Sequence, residues 1–242
     1  MIAQLRRPID AISLDFYGTL IHPCNGRGRG SNLIDYLRAQ GLEPNAWDHG
    51  FLYDVFARHD TDYSPDLPAA ERREYLRRLT ARALACLGVA AQDASSDHHE
   101  PSVWRILGPE AFCLFPETRD VLDALRARGY PIALVSNWQR GLGHFCAELE
   151  LADAFEHVIA SAEVGVAKPD RRIFDEACTR LGVPPDRVLH VGDTLADDYE
   201  GARAAGLQAI LLQRGSKTTP EDVSDVETIS DLRRLLPLLA AP

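Results

Sequence analysis

The apolar positions change period along the chain. From residue 112 onward, short continuous apolar runs alternate with longer stretches in which apolar residues recur every three or four positions. The runs have the length of strands and the stretches the spacing of amphipathic helices. "YPIALVSN" (130–137), "HVIAS" (157–161), "RVLHVGD" (187–193) and "QAILLQ" (208–213) read as strands. "PETRDVLDALRARG" (116–129), "GLGHFCAELELADAF" (141–155), "DRRIFDEACTRLG" (170–182) and "LADDYEGARAAG" (195–206) read as helices, with Gly129 placed to end the first. "IDAISLD" (9–15) supplies another strand near the start. Buried strands alternating with helices predict an α/β protein with a doubly wound, Rossmann-like parallel sheet.

Residues 22–111 follow a different pattern, with no convincing strand. Ser31 is placed to cap a helix over "NLIDYLRAQG" (32–41), and longer helical patterns follow at 44–60 and 68–88. "AAQDASSDHHEPS" (90–102) reads as a polar, mobile connector. The expected organisation is a core of residues 1–21 and 112–242 interrupted by an all-helical insertion at 22–111.

Composition narrows the function classes. A chain of 242 residues that is 45% hydrophobic can bury a large core. Its 36 acidic against 26 basic side chains leave a formal charge of −10, which disfavours nucleic acid and anionic membranes as partners. An anionic substrate must then meet locally placed cations. Five scattered cysteines without a Cys-x-x-Cys pair indicate neither a disulfide framework nor a zinc site, and reduced thiols fit a cytoplasmic location. The N-terminal segment lacks a signal-peptide pattern, and no stretch approaches the roughly 20 apolar residues of a membrane span.

Four loops follow expected strands and carry the candidate chemistry. They hold Asp15 and Thr19 in "DFYGT", Ser136 and Asn137 in "SNW", Lys168 in "VAKPD", and Asp193, Asp197 and Asp198 in "GDTLADD". In an open α/β sheet, ligands lie beyond the carboxyl ends of the strands, so these loops can converge. A carboxylate nucleophile, hydroxyl donors, a lysine and an acidic cluster would together make a phosphate site. If Asp15, Asp193 and Asp198 approach one another, their repulsion calls for a cation or a bound proton. Mg²⁺, with its preference for hard oxygen ligands, suits that demand.

In this order, "DFYGTL", "VSN", "KPD" and "GDTLADD" resemble the four motifs of the haloacid dehalogenase-like (HAD) hydrolase superfamily. The resemblance covers the core segments. The insertion matches in its place and helical character, resembling the family's cap. It implies that Asp15 is the nucleophile, that Lys168 holds it to a transferring phosphate, and that Ser136, Asn137 and Thr19 lie on the phosphate side. It also implies Mg²⁺ bound by Asp15, the Tyr17 carbonyl, Asp193 and Asp198, with Asp197 as the alternative to Asp198. The expected activity is hydrolysis of a small phosphorylated metabolite through an aspartyl phosphate. One position departs from the pattern: family phosphatases carry an acid-base aspartate where this chain has Tyr17. L-2-haloacid dehalogenases resemble the chain in having tyrosine there, but lack its acidic fourth motif. A carbon-centred hydrolase of that kind is one alternative, and a weakly active or non-catalytic binding protein is another.

Other residues have weaker claims. Arg27 and Arg29 in "CNGRGRGS" could meet an anionic substrate or simply be solvated. Trp138 could face the substrate or pack as core. Trp47, Phe51, Tyr53 and Phe56 share a helical pattern and read as core or cap interface, while His98 and His99 receive no role.

Overall fold

Each residue of Ala11–Leu14 (β1), Ile132–Ser136 (β4) and Val188–Gly192 (β6) is buried. Strands covered on both faces are characteristic of a parallel sheet between helices. In the computed structural model, which describes residues 8–26, 29–44, 69–89, 96–107, 111–215 and 226–239, these strands lie side by side. With His157–Ala160 (β5), Gln208–Leu212 (β7) and Thr228–Ile229 (β8) they form one parallel sheet in the order β5-β4-β1-β6-β7-β8. The doubly wound α/β class expected from the sequence is therefore the observed one.

The sheet separates two apolar layers. Ile12, Leu14, Leu134, Leu189 and Val191 pack with Val121, Leu122 and Leu125 of the helix Thr118–Ala127. Ala11, Ala133, Val135, Val188 and Leu211 pack with Ile173, Phe174 and Ala177 of the helix Arg171–Leu181. The alternation along each strand follows from the two-residue period of a pleated backbone. Asp170 caps the second helix by accepting from the Arg172 backbone N–H at 2.9 Å, and Gly182, with φ of 66°, ends it.

The segment between Leu20 and Phe115 enters and leaves through an antiparallel ribbon. Ile21–Pro23 (β2) pairs with Phe112–Leu114 (β3), Ile21 opposite Leu114 and His22 opposite Cys113. Beyond it lie the helices Arg29–Ala39 (α1), Ala69–Cys86 (α2) and Ser96–Leu107 (α3). α1 starts ahead of Ser31, so that serine is inside the helix and is not its cap. The helical pattern expected at 44–60, with Trp47, Phe51, Tyr53 and Phe56, lies outside the described residues from 45 onward, as does Arg27; Arg29 opens α1.

Two further expectations are corrected. A helix over residues 96–107 takes up the second half of the connector expected at 90–102, although Pro101 removes a backbone donor from that helix. His99 is buried, and its Nδ1 lies 2.9 Å from the Tyr36 hydroxyl of α1, a tertiary contact that overrides the polar local pattern. Cys24 and Cys113 form a disulfide across the ribbon, with Cα atoms 4.9 Å apart and a sequence separation of 89. Separation along the chain hid this pair; the antiparallel register of β2 and β3 creates it. Among the described residues, no helix is long and apolar enough to cross a membrane.

Candidate active site

Asp15 leaves β1 at the carboxyl edge of the sheet, where its backbone N–H donates to the Val191 carbonyl of β6 at 2.9 Å. Its side chain is nearly enclosed. Oδ1 accepts from Lys168 Nζ at 2.6 Å and from Ser136 Oγ at 3.2 Å, while Oδ2 accepts from Thr19 Oγ1 at 3.3 Å. Lys168 also donates to Asp198 Oδ1 at 2.5 Å, so one buried ammonium bridges two carboxylates. Asn137 holds the backbone on either side of that lysine side chain. It accepts from the Lys168 N–H at 2.7 Å and donates to the Lys168 carbonyl at 3.0 Å.

The acidic residues converge as well. Carboxylate oxygens of Asp15, Asp193 and Asp198 lie within 4.8 Å of one another. Two glycines provide the space: a Cβ on Gly18 would stand 2.2 Å from Asp193 Oδ2, and one on Gly192 would stand 2.2 Å from the Asp198 carboxyl carbon. Asp198 is buried and accepts from the Thr194 N–H at 2.9 Å, whereas Asp197 is half-buried and outside the cluster.

Burial sets the ionisation of the group. Removal from water pushes the Asp15 carboxyl upward, opposed by the Lys168 ammonium. Burial alone would also raise Asp198, but Lys168 and His190 outweigh it and hold that carboxyl below its ordinary value. Burial alone would lower Lys168; Asp15 and Asp198 outweigh it and keep the amine charged. With the three aspartates ionised and Lys168 protonated, the net charge is −2, which matches a divalent cation. The hard-oxygen donor set therefore fits Mg²⁺.

Tyr17 is half-buried, and its ring meets Phe112 edge-on with centroids 6.1 Å apart. It lines a cavity of about 420 Å³ with Gly18, His22, Phe115, Asp193 and Arg214. Arg214 stacks on the Phe115 ring at 3.5 Å, pairs with Glu117 at 2.5 Å and donates to the Thr19 carbonyl at 2.8 Å. Trp138 is buried among Phe16, Phe112 and Phe145, which makes it a core residue.

A buried aspartate bridged by a lysine to a cluster of carboxylates, at the carboxyl edge of a doubly wound sheet, is an arrangement suited to hydrolytic chemistry. The chain matches the haloacid dehalogenase-like hydrolase family over residues 9–206 and belongs to it. It is 33% identical over 220 residues to the human haloacid dehalogenase-like hydrolase domain-containing protein 3, covering 84% of this chain and 83% of that one. Matches to the zebrafish and bovine proteins of the same description cover 66% and 57% of their lengths. A glyceraldehyde 3-phosphate phosphatase of Methanothermobacter thermautotrophicus is 34% identical over 140 residues, 50% of this chain and 58% of that protein. Among solved structures, a HAD phosphatase from Thermococcus onnurineus superposes with a TM-score of 0.64 at 21% identity, covering 96% and 99% of the two chains.

Sequence reasoning did not single out Ser13, Gly18, His190, Gly192 or Arg214. Ser13 and His190 were legible as the polar positions of two otherwise apolar strands, "ISL" and "VLHVG". Arg214 carries no local signal, because its partners Thr19, Phe115 and Glu117 are remote in sequence.

Proposed function

We propose that this hydrolase is a Mg²⁺-dependent phosphatase acting on a small phosphorylated metabolite through an aspartyl phosphate at Asp15. The observation that carries the reading is the Lys168 ammonium bridging Asp15 and Asp198 beside Asp193. Phosphatases among the relatives support it. Oδ1 of Asp15 is occupied by Lys168 and Ser136, which leaves Oδ2, held by the longer Thr19 contact, as the attacking oxygen. Oδ2 forms a bond to phosphorus as the bond to the leaving oxygen breaks. The leaving oxygen takes a proton from solvent. Water then adds to phosphorus, and cleavage of the acyl-phosphate bond releases phosphate and restores the carboxylate.

Lys168 and the Ser136 and Thr19 hydroxyls lie where they would orient the nucleophile and offset charge on the transferred group. Asp15, the Tyr17 carbonyl, Asp193 and Asp198 would hold Mg²⁺, which would supply further neutralisation of phosphoryl charge. In this reading Asn137 serves the phosphate side through its hold on Lys168. Residues 22–111 act as a cap that selects the substrate over a core of 1–21 and 112–242. A cytoplasmic location belongs to the same proposal, and the Cys24–Cys113 disulfide is the observation that weighs against it.

Tyr17 favours a second reading, attack of Asp15 on carbon with departure of a halide that needs no proton. Phosphate release from a panel of phosphate esters and acyl phosphates, with and without Mg²⁺, tests the first reading. Halide release from L-2-haloacids without Mg²⁺ dependence would support the second.

A further inference from the structure

We propose that His190 is a positioning residue for the reaction at Asp15, acting through Asp198 on Lys168. The five side chains form a buried chain: Ser13 Oγ lies 2.8 Å from His190 Nδ1, and His190 Nε2 lies 3.2 Å from Asp198 Oδ1. The same Asp198 oxygen accepts from Lys168 at 2.5 Å, and Lys168 donates to Asp15 at 2.6 Å. Each of these residues is at most 6% exposed.

Donor and acceptor chemistry fixes the direction of the chain. An ionised carboxylate only accepts, so His190 Nε2 carries the proton that faces Asp198. In the neutral ring Nδ1 then accepts, and the Ser13 hydroxyl donates to it. This arrangement is set by the sheet. Ser13 and His190 are register partners on adjacent strands β1 and β6, so their side chains emerge on the same face. Phe174 meets the imidazole edge-on at 5.2 Å and limits its rotation, while the bare backbone of Gly192 admits the Asp198 carboxylate.

Ser13, His190 and Asp198 thus share the residue types of a serine hydrolase triad but have a different role. Ser13 is fully buried and cannot reach a substrate, and the imidazole Nε2 faces Asp198. His190 instead fixes the oxygen of Asp198 that shares Lys168 with the nucleophile. Asp198 Oδ2 stays held by the Thr194 N–H, so loss of the His190 contact would loosen Oδ1 and let the ammonium it shares with Asp15 shift away from its bridging position. Supporting partners that act through a catalytic group in this way are worth about 10–100-fold in activity.

This inference rests on the phosphatase reading for its kinetic arm and on the full chain for a spectroscopic arm. With saturating Mg²⁺ and p-nitrophenyl phosphate, His190→Leu should lower kcat about 10–100-fold and leave KM within about twofold. His190→Gln, which can return an N–H to Asp198, should recover most of that loss at an equal folded fraction. Ser13→Ala should lower kcat severalfold and decides the matter if His190→Leu does not fold. Independently of turnover, ¹⁵N-histidine spectra should show one imidazole protonated at Nε2 and bonded to a carboxylate, a signal lost in His190→Gln and shifted in Asp198→Asn. Unchanged kcat in Ser13→Ala and His190→Leu, or equal loss in Leu and Gln variants that tracks unfolding, would overturn the proposal. An inactive wild type that still shows the Nε2 signal would remove the phosphatase reading and leave the hydrogen-bonded chain standing.

Discussion

Gly18 makes way for Asp193. Its φ is +88°, and a Cβ added there would lie 2.2 Å from the Asp193 carboxylate oxygen. The loop that carries Asp15 and the acidic loop of Asp193 can approach only because this position has no side chain. Gly18→Ala should raise the Mg²⁺ concentration for half-maximal activity by about tenfold or more, the equivalent of roughly 1.4 kcal/mol. A Mg²⁺ titration of phosphate release, paired with thermal melting, checks this; an unchanged Mg²⁺ requirement in a folded variant would refute it.

In the proposed phosphatase, Tyr17 stands where an acid-base carboxylate is expected, so substrates with poor leaving groups should turn over most slowly. A phenol with an ordinary pKa of about 10 is a weak base at neutral pH. Tyr17→Asp should therefore raise turnover of alkyl phosphates, by up to about 10²–10⁴-fold, and help aryl and acyl phosphates less. No gain on any alkyl phosphate in a folded, Mg²⁺-binding variant would mean that the tyrosine serves a different chemistry.

Burial raises the Asp15 carboxyl above its ordinary value of 3.8 in the metal-free protein, with Lys168 opposing the shift. In the proposed mechanism Asp15 must be ionised, so activity should fall in acid as Asp15 takes up a proton, and at lower pH when Mg²⁺ is saturating. Lys168→Met removes the opposing cation and should move the acid limb of kcat/KM to higher pH, with a lower plateau. A limb that stays in place would show that another group controls it.

Asp170 gives a stability effect of known sign. Its bonds to the Arg172 side chain and backbone N–H lower its pKa from 3.8 to about 2. The native state therefore favours the ionised cap, and its contribution is complete above about pH 4 and lost as pH falls through about 2. Asp170→Ala should lower the melting temperature at neutral pH, with the difference shrinking towards pH 2. A difference that persists undiminished in acid would point to packing as its source.

The Cys24–Cys113 disulfide ties the two strands through which the helical segment enters and leaves. Cys24→Ser should destabilise the protein by about 2–4 kcal/mol, measured by denaturant unfolding. Reduction of the wild type should have a similar effect and little further effect on the variant. If reduction shifts both equally, the bridge is not the source.

The sheet was legible because its strands are continuous apolar runs, and Asp15, Ser136 and Asp193 stand at or just beyond strand ends, while Lys168 follows β5 after the short helix Ser161–Val164. Other features were hidden because they depend on remote pairing. Cys24 and Cys113 meet through the β2–β3 register, and Ser13 meets His190 through the β1–β6 register. The helix α3 was obscured by Pro101 and its polar neighbours, since the burial of His99 against Tyr36 is invisible locally. Asn137 was expected on the phosphate side from its place beside Ser136; its two bonds to the Lys168 backbone could be seen only once the loops converged.

The central claim is that Asp15 receives the phosphoryl group. Rapid acid quenching during turnover of an acyl or aryl phosphate, followed by peptide mass mapping, tests it most directly. One phosphoryl group should appear on the peptide containing Asp15, require Mg²⁺ and be absent from Asp15→Asn, a folded variant whose neutral amide is a far weaker nucleophile. Phosphate release without phosphorylation of Asp15, or undiminished turnover by Asp15→Asn, would contradict the account.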